Sequence, residues 1–117
     1  MTKRICALLA VAALLTAGTA LAGDWTGEVV EMSCYTRNGS TGEDHAACAK
    51  TCLSKIDLEK AAMGDAIGLL VGEDIMKLSP ADADTFEALT NLAGQQATVS
   101  GTLDGDTITV ASAQAAG

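Results

Sequence analysis

Three cysteines and one histidine are the side chains in this chain best suited to chemistry: Cys34, then His45, Cys48 and Cys52 within the stretch HAACAKTC. Thiolate sulfur and imidazole nitrogen are ligands for zinc, and soft sulfur also favours copper(I). The same thiols can instead pair as a disulfide or take part in redox exchange. The spacing is what links them. On a helix each residue advances ~100°, so offsets of three and four place His45, Cys48 and Cys52 within an arc of ~60°. Cys34 closes a candidate strand just before this helix and can reach its stripe. Together Cys34, His45, Cys48 and Cys52 make a three-cysteine, one-histidine set that suits tetrahedral zinc. Met32, on the strand face of Cys34, offers a thioether that would favour copper(I).

Two other readings use the same residues. A disulfide from Cys34 to Cys48 or Cys52 would tie strand to helix and leave the third thiol buried, and thiol redox chemistry is the other alternative. A Cys48–Cys52 bond is disfavoured, because successive helical turns hold the Cα atoms near the upper limit of ~6–7 Å. C-x-x-x-C also lacks the C-x-x-C geometry of thioredoxin-like catalysts. His45 alone reads as a first-turn surface histidine near Glu43 and Asp44.

No enzyme is expected. The carboxylates are scattered without an acid/base pair, and no serine sits in a nucleophile elbow. Asp104-Gly105-Asp106 is far short of a calcium loop. Met63 and Met76 read as core packing.

The elements that must position the cysteines begin behind an N-terminal stretch, MTKRICALLAVAALLTAGTALAGDW. Lys3 and Arg4 precede an apolar run from Ile5 to Ala17, and Ala20-Leu21-Ala22 has the small-x-small pattern of a signal-peptidase site. The run falls short of the ~20 residues of a membrane span. Residues 1–22 are therefore expected to be a signal peptide and 23–117 a single periplasmic or secreted domain, without a stable membrane anchor. Removal of Cys6 leaves an odd number of cysteines in an oxidising compartment, so at least one thiol must do something other than form an internal disulfide. Loss of Lys3 and Arg4 leaves five basic residues against 15 acidic ones, a net charge of −10 in place of −8. That field repels phosphate backbones and excludes nucleic acid as a partner.

In the mature chain, DWTGEVVEMSCY alternates as a strand and RNGSTGED reads as a loop. EDHAACAKTCLSK is a helix, with Thr41 and Asp44 at its start, and DLEKAAM is a short helical piece ending at Gly64. AIGLLV and DIMKLS are strands joined by a turn at Gly72-Glu73-Asp74. SPADADTFEALTNLAG is a helix with Ser79 as N-cap, Pro80 in its first turn and Asp82 at the capping-box position. Phe86, Leu89, Leu92 and Ala93 form its apolar face, and Gly94 stops it. QATVSGTL and DTITVAS form a hairpin around Asp104-Gly105. The order predicts a mainly β protein with helices: a five-stranded OB-like barrel with an inserted cysteine-bearing helix after the first strand. Only Trp25, Tyr35 and Phe86 are aromatic, so the base-stacking platform of nucleic-acid-binding OB folds is missing.

GEVVEMSCY, DHAACAKTC, AIGLLV and LAGQQATVSGTL resemble a group of small exported bacterial OB-fold-like proteins of unknown function. Their pattern is a glycine-led first strand ending in cysteine, an H-x-x-C-x-x-x-C helix and a late strand. DLEKAAM departs from that pattern, which has a shorter glycine-containing connection. The resemblance implies an OB-like fold and export, and brings no activity with it. Two functions remain: zinc or copper binding through the Cys/His cluster, or a disulfide-stapled, non-enzymatic module that binds another exported protein.

Overall fold

The computed structural model describes residues 20–116. The element order is β1 (Ala20–Glu31), α1 (Met32–Asn38), α2 (Gly42–Leu53), α3 (Leu58–Ala61), β2 (Ile67–Val71), β3 (Asp74–Pro80), α4 (Ala83–Asn91), β4 (Gln96–Asp104) and β5 (Thr107–Ala115). The strands close into a barrel in the order β1-β2-β3-β5-β4. All neighbours are antiparallel except β3 and β5, which pair in parallel from Lys77↔Thr107 to Pro80↔Val110. This is the expected OB-like barrel, with its Cys-bearing insertion between β1 and β2.

Closure depends on bending the strands. In β4 the register with β5 slips between Ser100 and Gly101. A Cβ on Gly101 would collide with the Thr109 carbonyl, so only glycine lets the backbones approach this closely at the bulge. Two-residue turns at Gly72-Glu73 and Gly105-Asp106 fix the two hairpins, as their glycines suggested. The interior is aliphatic: Val29, Ile67, Leu69, Leu78, Val99, Ile108 and Val110 are fully buried. At roughly 25 cal/mol per Å² of apolar surface removed from water, such a core is the main force holding the strands in register.

α4 plugs one end of this barrel. Leu89 is fully buried, while Phe86 and Leu92 are half-buried against the same core. Its N-cap differs from expectation. Asp82, not Ser79, caps the helix by accepting from the Thr85 N–H at 2.8 Å and the Thr85 hydroxyl at 2.8 Å. These bonds hold the Asp82 carboxyl below its ordinary pKa. Ser79 and Pro80 instead end β3, where they pair with Thr109 and Val110, and the Ser79 hydroxyl donates to the Ala62 carbonyl. Pro80 tolerates the strand end because its missing N–H is not needed there.

Two further corrections concern the approach to the cysteines. The first strand ends at Glu31, so Met32 and Cys34 lie in helix α1 and do not share a strand face. Thr41 makes no side-chain cap bond at the start of α2; Glu28 of the barrel accepts from the Gly42 N–H at 2.8 Å in its place. Of the segment expected to be a signal peptide, residues 1–19 lie outside the described residues. Ala20–Ala22 extend β1 and pair with Thr102–Asp104 of β4.

Candidate metal centre

The site begins where β1 stops. Glu31 is extended, and its carboxylate turns back to accept from the Ser33 N–H at 2.8 Å, the Ser33 hydroxyl at 2.6 Å and the Cys34 N–H at 3.2 Å. These donors are the orphan N–H groups of a helix start, so Glu31 both ends the strand and nucleates α1. Burial pushes the Glu31 carboxyl up, but the bonds from Ser33 and Cys34 outweigh it and hold it below the ordinary carboxylate range. One turn of helix then sets Cys34 beneath α2, fully buried.

α2 lies on the barrel through a stripe at every fourth position. His45, Ala49 and Leu53 are all buried, and the small Ala49 permits close approach to β1. Gly94, just past α4, receives the start of this helix. Its φ is +83°, and a Cβ there would lie 2.6 Å from the Gly42 carbonyl oxygen and 2.8 Å from the Ala46 Cβ. The Gly94 N–H also donates to the Val29 carbonyl at 2.7 Å. One glycine therefore joins α4, β1 and α2, and so sets the height at which Cys48 and Cys52 hang over Cys34.

The three sulfurs converge. Cys34 Sγ lies 3.0 Å from Cys48 Sγ and 3.7 Å from Cys52 Sγ. Their Sγ atoms all fall within 4.8 Å of one another, and all three thiols are free. Cys48 is exposed, Cys52 half-buried and Cys34 buried. The contact with Cys48, then burial, the Glu31 carboxylate and Cys52 all push the Cys34 thiol strongly upward, so it keeps its proton at neutral pH. A cation entering the cluster would displace that proton and relieve the crowding of sulfur around Cys34.

His45 lies outside this group of sulfurs. It is fully buried rather than at the surface, and its Nε2 accepts from the Glu31 N–H at 2.8 Å. Nε2 is therefore the bare nitrogen, and Nδ1 lies 3.5 Å from the Ser40 hydroxyl. His45 shares the angular stripe of Cys48 and Cys52 but sits one turn nearer the helix start, level with the end of β1. The Met32 thioether, proposed above as a copper ligand, packs over Gly68, where a Cβ would lie 2.5 Å from the sulfur.

Glu28, Glu31 and Gly94 position the site; neither glutamate stood out in the sequence, and Gly94 was read only as the stop of its helix. The Glu31-Met32-Ser33-Cys34 run was the available signal, but glutamate is not among the favoured N-caps. A cleft of about 230 Å³ opens beside Cys52, with Leu53, Ile56, Met63 and Ala66 as apolar walls and Glu31, Ser33, Lys60 and Asp65 at its polar margin. Comparison with protein-family models, curated proteins and solved structures finds no match to this chain.

Proposed function

We propose that the protein is a small, non-enzymatic, exported metal-binding protein that holds one soft or borderline cation through Cys34, Cys48 and Cys52. The observation that carries this reading is the convergence of three Sγ atoms within 4.8 Å. Three thiolates fit trigonal copper(I), which accepts low coordination by soft sulfur. Zinc would need a fourth ligand, which water could supply on the exposed side of Cys48, giving an open site. Export rests on the basic, apolar, small-residue N-terminal stretch.

Anaerobic titration of the reduced protein with copper(I) or zinc, against a competing chelator, tests the proposal. One equivalent should bind tightly, and Cys34→Ser should weaken it by at least ~10-fold, since a three-ligand site loses its central sulfur. Affinity no tighter than ~1 mM for both ions would defeat the reading. The stapled interaction module keeps one specific support, the 3.0 Å approach of Cys34 and Cys48. In that case the native, unreduced protein would show the mass of one disulfide and bind no metal after reduction.

A further inference from the structure

We infer that the three-cysteine cluster is also a thiol–disulfide exchange centre, in which buried Cys34 resolves bonds first made at exposed Cys48, so that an external disulfide discharges the bound metal. The metal-release half rests on the metal-binding reading above; the exchange half stands on the sulfur geometry alone. Three observations carry it. Cys34 is 0 % exposed, so no reagent in solution reaches it directly. Cys48 is exposed and Cys52 half-buried at the cleft, so either can meet a disulfide from outside. Cys34 Sγ lies within 4 Å of both partners, at 3.0 and 3.7 Å, so one buried sulfur can close on either.

The chemistry balances with a disulfide RSSR as oxidant. The Cys48 thiolate attacks one sulfur of RSSR; the S–S bond breaks, a Cys48–SR mixed disulfide forms, and RS⁻ leaves and takes up a proton. Cys34 attacks Cys48 Sγ as its proton passes to the departing sulfur; the Cys48–SR bond breaks and a second RSH leaves. Two electrons have passed from the Cys34–Cys48 pair to RSSR, yielding one internal disulfide and two RSH. The same two sulfurs cannot remain thiolate ligands, so a bound cation is left with Cys52 alone and dissociates. Metal and disulfide are thus alternative occupants of one set of sulfurs.

The test uses the full chain and oxidised glutathione as the disulfide probe. Metal-free and zinc-loaded protein are treated in parallel; disulfides are mapped by peptide mass spectrometry, and zinc is followed with a chromogenic chelator. The expected product is a Cys34–Cys48 bond with Cys52 alkylatable, and one equivalent of zinc appearing as the bond forms. Cys48→Ser should move the bond to Cys34–Cys52. Cys34→Ser should leave stable glutathione adducts on Cys48 and Cys52 with no internal bond. Persistent glutathione adducts on the unaltered protein, a Cys48–Cys52 bond, or a Cys34–Cys48 bond formed with zinc retained would each overturn the inference. Failure of the reduced protein to take up zinc or copper(I) would remove the metal reading and its release half, while the disulfide map from the metal-free arm would still decide the exchange.

Discussion

The backbone N–H of Glu31 donates to Nε2 of His45 across 2.8 Å, joining the last residue of β1 to the first turn of α2. Both groups are buried, so neither has water to fall back on. His45→Ala should therefore cost ~2–4 kcal/mol, from the unsatisfied N–H and the vacated ring volume together. Chemical denaturation of the metal-free protein measures it. His45→Gln, whose amide oxygen can accept, should recover part of the loss and still bind one metal ion. A folded His45→Gln variant that binds none would make the imidazole a ligand after all.

Gly94→Ala tests the joint between α4, β1 and α2. The added methyl meets the Gly42 carbonyl and Ala46 at a positive φ, so α2 must lift or the backbone must shift. The expected cost is ~1–3 kcal/mol. Metal affinity should fall more than the stability loss alone explains, because α2 carries two of the three sulfurs. Unchanged affinity in a folded variant would show that the cluster tolerates movement of α2.

Leu89→Ala should cost ~2–5 kcal/mol, since the side chain is fully buried where α4 closes the barrel. A urea midpoint that barely moves would make the helix peripheral to folding. The oxidised and reduced forms should lose about the same amount, because Leu89 lies in the barrel core and not in the cysteine cluster.

Metal affinity should rise with pH. The Cys34 thiol is pushed upward and still holds its proton at neutral pH, so binding must expel it. Each thiol protonated before binding adds about a factor of ten in apparent affinity per pH unit. Competition titrations between about pH 6 and 8, below the ordinary cysteine pKa of ~8.5, should show that slope. A flat profile would mean the sulfurs are not the ligands.

The barrel was legible in the sequence because its signals are local. Gly72-Glu73 and Gly105-Asp106 announce hairpins, and Phe86, Leu89 and Leu92 repeat at helical spacing. The helix cap was misread because two signals overlap in SPADADT. Ser79-Pro80 looks like a helix start, yet pairing with β5 claims those residues and leaves the role to Asp82. α1 was hidden by the strand-like alternation of Val30, Met32 and Cys34. Only the carboxylate of Glu31, folding back on Ser33 and Cys34, turns that run into a helix. The convergence of Cys34, Cys48 and Cys52 followed from spacing. The place of His45 did not, because angular position on a helix says nothing about its height against the strand end.

Glu31 and Ile67, where the insertion leaves and rejoins the sheet, face each other as one rung of the β1–β2 ladder. The next bond, from the Met32 N–H to the Ala66 carbonyl at 2.8 Å, closes its neck. Residues 32–66 are thus an excursion with touching ends, and every sulfur of the cluster lies within it. The entropy of closing a chain loop grows only as the logarithm of its length, by ~0.6 kcal/mol per doubling. A change in the length of its connections therefore costs the barrel little, provided Ala49 and Leu53 still cover the core. The sulfurs thus travel as one cassette that enters and leaves the sheet at a single rung, while Glu28, Gly94 and the core contacts of Ala49 and Leu53 seat it on this particular barrel.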